Sequence, residues 1–183
     1  MIEFNFNPFP VLETERLWLR RIAKEDAPAY FALRTDNRAM TFSTRETPAS
    51  VDVILELIQT IDGWIDTNEK IAWTIEEKAS GKFVGTLSFH KADRKHHRAE
   101  IGYQMVFDYW NRGFMSEAIK AAIAYAFNEM KLHTIEARVN EKNVVSIHLL
   151  EKNGFVKEGH FTEDFFHAGV YYNTGVYSLV NKS

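Results

Sequence analysis

Cysteine is absent from the 183 residues. That excludes disulfide bonds, cysteine-ligated zinc and a thiol nucleophile. No apolar run approaches the roughly 20 residues that a membrane-spanning helix needs, so no membrane partner is expected. Positive charge is not in excess either. The 22 Lys and Arg stand against 25 Asp and Glu, for a formal net charge of −3. A general nucleic-acid binder would carry a basic balance, so no nucleic-acid partner is expected. Repeats, low-complexity tracts and linkers are missing, and nothing in the sequence calls for a metal. The opening MIEFN lacks the basic start and apolar core of a signal peptide, and a cytoplasmic location is the expectation.

What is present suits one globular domain over residues 1–183. The chain is 45% hydrophobic and 26% charged, and it is long enough to bury a full core. Aromatics reach 14%, with fourteen Phe, which favours a deep core or an apolar ligand groove.

Residues 5–10 contain two prolines and read as an entry arm. Residues 12–21 (LETERLWLRR) alternate Leu17 and Leu19 against Arg16, Trp18 and Arg20, a strand of period two. Residues 25–33 read as a short helix with Pro28 near its first turn. Thr47-Pro48 reads as the start of a second helix, Thr as N-cap and Pro at the first helical position. Its apolar face comprises Val53, Ile54, Leu57, Ile58, Ile61, Trp64 and Ile65. Strands are predicted over 71–76, 83–90 and 99–107. The basic segment 91–98 (KADRKHHR) turns the last pair and reads as a solvated hairpin tip. A long amphipathic helix follows Gly113, a strand covers 134–140, and Asn143 caps a short helix that stops at Asn153-Gly154. Residues 155–161 and 170–180 are the last strands. This order predicts an α/β (α+β) fold with a mixed, mostly antiparallel central sheet of about seven strands, flanked by about four helices.

The stretch WNRGFMSEA, residues 110–118, sits where a strand turns into the long helix. The first turn of a helix leaves backbone N–H groups unpaired, and the helix dipole adds positive potential there. A phosphate or diphosphate is the natural guest. Gly113 removes a side chain from the approach, Ser116 offers a hydroxyl and Arg112 a charge; an ordinary strand-to-helix turn would use the same residues. If the preceding strand, at Tyr103, Gln104 and Met105, splays from 134–140, its free backbone groups can pair with an amide-bearing ligand. Coenzyme A carries amides at one end and a diphosphate at the other.

Four blocks in order resemble the GNAT acetyltransferase superfamily, and most closely the ribosomal-protein N-terminal (alanine/serine) acetyltransferases. They are ETERLWLRRIAKEDA, AEIGYQM with WNRGFMSEAIKAAIAYAF, NEKNVVSIHLLEKNGFVKEG, and HFTEDFFHAGVYYNTGVYSL, together nearly the whole chain. Trp110 and Met115 depart from the superfamily's usual loop, and Asn173 or Thr174 stands where the subfamily commonly has aspartate. The resemblance implies acetyl transfer from acetyl-CoA to an amine. Arg112, Gly113, Phe114, Met115 and Ser116 would hold the diphosphate, with Tyr103, Gln104, Met105 and Asn143 along the pantetheine arm. Glu100 matches the family's strand carboxylate and is the candidate base, with Glu163 and Asp164 as rivals and His160 and His167 behind them. Ser146, three residues after Asn143, is the candidate donor to the departing thiolate.

The acceptor expected from the resemblance is a protein N-terminal α-amine. A small amine such as a polyamine, amino sugar or aminoglycoside is the alternative, with Glu46, Asp62 and Asp66 available to attract a cation. A non-catalytic acetyl-CoA-binding module is the alternative of another class. Acceptor specificity is assigned to residues 37–47 and the last hairpin. Phe161, Phe165 and Phe166 on that hairpin leave both a monomer and a homodimer open.

Overall fold

Alternation at Leu17 and Leu19 does produce a strand, with both side chains fully buried. The computed structural model, which describes residues 1–43, 45–167 and 169–182, breaks it earlier than the sequence predicts. Thr14 closes a tight turn: its N–H donates to Leu17 O at 3.0 Å and its hydroxyl accepts from Leu17 N at 2.9 Å. Residues 12–21 therefore form two strands, β1 (Leu12–Glu13) and β2 (Leu17–Arg21), paired antiparallel with Leu12 opposite Leu19.

After a 3-10 turn at Lys24–Asp26 come α1 (Ala27–Thr35), with Pro28 in its first turn, and the single-turn α2 (Asn37–Met40). The next helix, α3, runs Val51–Asp66 with Ser50 as its N-cap, so Thr47 and Pro48 lie outside it. Ser50 takes the N-cap position with an extended backbone and no side-chain cap bond, and Ile54, Ile58 and Ile65 fall on the buried face. Strands β3 (Ile71–Glu77), β4 (Lys82–Asp93) and β5 (Arg98–Met105) follow, then α4 (Phe114–Asn128), β6 (Thr134–Asn140), α5 (Val144–Lys152), β7 (Val156–His167) and β8 (Val170–Val180). The last hairpin reaches past residue 161, the predicted end of its first strand, with a register shift between Phe161 and Phe165. One sheet holds the eight strands in the order β1-β2-β3-β4-β5-β6-β8-β7. Its one parallel pair among the described residues is β5 with β6.

Strand alternation gives the middle of this sheet two unlike faces. Ile71, Trp73, Ile75, Leu87, Phe89, Ala99 and Ile101 are buried on one face, in one cluster with Ala118, Ile119, Ala122 and Ala126 of α4. The entry arm closes this core with Phe4 and Phe6, and Pro10 O accepts from Trp73 Nε1 at 2.8 Å. The opposite face carries Thr74 of β3 opposite Thr86 of β4, and Thr86, Ser88 and His90 have Gln104, Gly102 and Glu100 as their cross-strand partners on β5. A second apolar cluster of Ile22, Ala27, Tyr30, Leu33, Ile54 and Ile58 joins α1 to α3 on that side.

A buried carboxylate anchors α1 to the sheet. Asp26 accepts from both terminal nitrogens of Arg20 at 2.8 and 2.7 Å, from Ala23 N at 2.9 Å and from Thr74 Oγ1 at 3.0 Å. Burial pushes its carboxyl up, but the Arg20 bonds and the Ala23 N–H outweigh this and hold it below its ordinary value. A carboxyl depressed in the folded state stabilises above its unfolded pKa and loses that contribution as pH falls towards the folded value. Asp26→Ala is expected to cost about 3 kcal/mol, the low end for breaking a buried pair, because Arg20 keeps part of its side chain in water. Urea unfolding at pH 7 and at pH 3 checks both points: the gap between wild type and variant narrows at the lower pH.

Candidate active site

At the end of β5 the chain passes through a 3-10 turn, Phe107–Tyr109, and Trp110 Nε1 donates back to Met105 O at 3.0 Å. Asn111 and Gly113 then take left-handed φ values of 58° and 80°, and α4 begins with no side-chain cap. Glu117 N reaches back to Gly113 O at 3.1 Å. The N–H groups of Phe114, Met115 and Ser116, one turn earlier, have no place in the helical ladder. All three residues line a cavity of about 1140 Å³. Glycine at 113 suits the backbone. Its φ disfavours a side chain, and a Cβ there would meet the Arg16 guanidinium at 3.4 Å, an ordinary contact.

Arg16 is a member of this corner that sequence reasoning missed. Glu117 accepts from Thr14 Oγ1 (2.6 Å), Arg16 N (2.8 Å) and Arg16 Nε (2.7 Å), and so ties the β1–β2 turn to α4. Arg16 also donates to Arg112 O at 3.1 Å and lies over the Phe114 ring at 4.3 Å. The only legible signal was an acidic residue in a first turn, which helix-dipole reasoning absorbs.

Two expected contributions differ in detail. The Arg112 guanidinium stacks over Tyr109 and Phe114 and faces Glu77 at 3.8 Å, outside the cavity lining. Ser116 is buried, and its hydroxyl donates to Asn153 Oδ1 at 3.2 Å. What remains at the corner from Ser116 is its backbone N–H.

Beside the corner the sheet opens. β5 and β6 pair only at Arg98–Thr134, Ala99–Ile135 and Glu100–Glu136. Beyond that point residues 101–105 pair with β4 alone, and 137–140 with β8 alone. Both facing edges line the cavity, as do Tyr103, Gln104 and Met105. Gln104 Oε1 is a buried acceptor without a hydrogen-bond partner among the described residues. An elongated ligand that places N–H donors in the wedge and an anion at the start of α4 fits this geometry.

Across the wedge, Asn143 caps α5 by accepting from Ser146 N at 3.1 Å. The Ser146 hydroxyl lies 2.8 Å from Tyr103 Oη. Burial pushes the Tyr103 phenol up to about 12, so it stays protonated at neutral pH. At the closed end of the wedge stands Glu100. Its carboxylate accepts from Lys91 Nζ at 2.8 Å, lies 3.3 Å from His90 Nε2, and has Arg138 at 3.8 Å. Burial pushes its carboxyl up, but the bonds from His90 and Lys91 and their charges prevail and hold it at about 2.

Of the rivals to Glu100, Asp164 lines the cavity, whereas Glu163, His160 and His167 do not. Glu163 takes a left-handed φ inside β7, at the register shift between Phe161 and Phe165, and donates its N–H to Asn173 Oδ1. Residues 38–43 and Arg45 border the cavity too; Thr44 and Ala168, within the two predicted specificity segments, lie outside the described residues. Six basic residues line the cavity (Arg38, Arg45, Lys70, Lys91, Arg138 and Lys152) against the acidic Glu100 and Asp164. Asp62 and Asp66 each pair with Arg21 at 2.8 Å and, like Glu46, stand outside the lining. The acids expected to attract a cation are therefore not at the site.

The model of the acetyltransferase (GNAT) domain family matches residues 16–156. An uncharacterised N-acetyltransferase of Bacillus subtilis is 38% identical over 172 residues, which cover 94% of this chain and 97% of the relative. Spermidine N-acetyltransferase from Vibrio cholerae, solved in complex with CoA and spermine, superposes with a TM-score of 0.81 at 26% identity, over 91% of this chain and 96% of that one. Ribosomal-protein-S5-alanine acetyltransferase from Vibrio fischeri superposes at 0.85 with 23% identity, over 94% and 97%, a likeness of fold. No helix among the described residues is long and apolar enough to cross a membrane.

Proposed function

The chain belongs to the GNAT acetyltransferase family, and from that premise we propose that it moves an acetyl group from acetyl-CoA to the α-amine of a protein N-terminus in the cytoplasm. The N–H groups of Phe114, Met115 and Ser116, with Gly113, receive the diphosphate. The unpaired edge of β5 and Gln104 Oε1 engage the amides of the pantetheine arm, with Asn143 on the facing side. The transfer joins the amine nitrogen to the acetyl carbon, breaks the C–S bond and removes one proton from the nitrogen. Ser146, backed by the neutral Tyr103, donates its hydroxyl hydrogen towards the departing sulfur, whose thiol pKa is about 8.5 by analogy with cysteine. Glu100 and its neighbour His90 are the groups to which the amine proton can pass.

The charge of the cavity wall carries the choice of acceptor. Arg45 and Lys70 line it with no acidic partner among the described residues, and Glu100 is already neutralised by Lys91. A polyamine brings several positive charges and would meet like charge. A peptide N-terminus brings one amine on an otherwise neutral backbone.

Thiol release from acetyl-CoA, measured across N-terminal peptides, spermidine and an aminoglycoside, tests this. Peptides are expected to react fastest. Spermidine turning over faster than every peptide would replace the peptide reading with the small-amine one. No turnover with any amine would leave a binding module. Acetyl-CoA at about 100 times its Kd should stabilise the fold by roughly 2.7 kcal/mol. A melting temperature that rises with NAD or ATP but not with CoA would contradict the ligand assignment.

A further inference from the structure

His90 stands beside Glu100 in the cavity wall, though nothing in its sequence context marks it. It lies on the polar face of the sheet, lines the cavity, and is directly across β4–β5 from Glu100. Its Nε2 is 3.3 Å from Glu100 Oε1. The next cross-strand pair is Ser88 with Gly102, and the imidazole leans over that glycine. A Cβ built at Gly102 would lie 3.0 Å from His90 Cε1 and 3.5 Å from Nδ1. A glycine at 102 thus gives the ring its room. Lys91 and Arg138 hold the other side of the Glu100 carboxylate.

We propose that His90 is the base of the transfer, taking the amine proton on Nδ1, and that Glu100 is a positioning residue that accepts Nε2–H and offsets the imidazolium charge. This rests on the acetyl-transfer reading above, whichever amine is the acceptor. Glu100 is a poor direct base. A carboxylate paired with Lys91 and facing Arg138 gains little from a proton at neutral pH, whereas an efficient base has its pKa near the working pH. An imidazole is the side chain that titrates there. A carboxylate on one ring nitrogen leaves the lone pair on the other.

The step balances. The nitrogen lone pair forms the C–N bond, and the N–H pair left behind replaces it as the proton passes to His90 Nδ1. The C–S bond breaks with its electrons on sulfur, which takes the hydrogen of Ser146. His90 then loses its proton to water, and Ser146 regains one from water.

The full-length chain and its best amine substrate serve for the test. His90→Ala should lower kcat by about 10²–10⁴-fold and leave the acetyl-CoA Kd unchanged. Its pH–rate profile should lose the acidic limb, and added imidazole should restore part of the rate. His90→Gln, which keeps bulk and polarity, should be as slow, and it replaces the Ala variant if that one fails to fold. In nitrogen NMR of the wild type, His90 should be the Nε2–H tautomer, and Glu100→Gln should mix the tautomers. An active His90→Gln, or an acidic limb that survives in it, overturns the proposal and returns the role to Glu100 or Asp164. A wild type that acetylates no amine removes the transfer reading itself, and this inference with it.

Discussion

Glu100→Gln is expected to slow acetyl transfer by about 10²–10⁴-fold, the usual worth of acid–base catalysis, with acetyl-CoA affinity unchanged. The substitution keeps the shape and removes the negative charge. Glu100 stands at the closed end of the wedge, five residues before Met105 at the end of β5, or about 16 Å of extended chain, and the corner follows Met105 in the chain. Its charge is set among His90, Lys91 and Arg138 and not at the start of α4, which predicts a pure kcat effect. Ser146→Ala should slow turnover less, since water can replace the hydroxyl and Tyr103 remains beside it. Stopped-flow and steady-state rates with isothermal titration of acetyl-CoA separate the two quantities. A fully active Glu100→Gln alongside a dead Asp164→Asn would move proton removal to the last hairpin. If both stay active, neither carboxylate removes the proton, and the His90 variants decide between the imidazole and positioning of an amine that arrives neutral.

Gly113→Val should weaken acetyl-CoA binding by more than about 100-fold, or roughly 2.7 kcal/mol. The left-handed backbone at 113 opposes any side chain, by about 1–2 kcal/mol, and most strongly a branched one. The new group would also crowd Arg16 and stand before the first N–H groups of α4. Arg112→Ala should cost less than about threefold, because its guanidinium is turned towards Tyr109, Phe114 and Glu77. Calorimetry on variants whose far-ultraviolet spectra match wild type gives the ranking. An Arg112 effect larger than that of Gly113 would mean that side-chain charge, not the backbone, anchors the anion.

Much of this was written locally along the chain. Leu17 and Leu19 alternate with Arg16, Trp18 and Arg20 because one face of β2 is buried and the other is not. The glycine before FMSEAIKAAIAYAF marks the start of α4 because the left-handed conformation there is open to few other residues. Asn143 caps α5 as its type suggests, and its cap places Ser146 one turn on. The opening of the sheet beside residues 101–105 meets the condition set for an amide-bearing ligand, a strand that splays from 134–140.

Periodicity and turn chemistry thus determined the order of elements and marked the corner before α4, and the resemblance of four blocks pointed to the family, since each depends on residues within a few positions of one another. The tertiary structure alone decided the rest. Glu117 breaks the first predicted strand into two by drawing Thr14 and Arg16 to α4 from about a hundred positions away. Ser116 turns to Asn153, and Arg112 turns from the cavity, because packing at the helix start leaves them those directions. His90 meets Glu100 only through the register of two antiparallel strands, in which a shift of one residue would send the imidazole to the opposite face. The acids at 62 and 66 are spent on Arg21, so the charge of the cavity wall was never legible from the count of charges. Proximity between residues far apart in sequence is set by register and packing, and no local pattern encodes either.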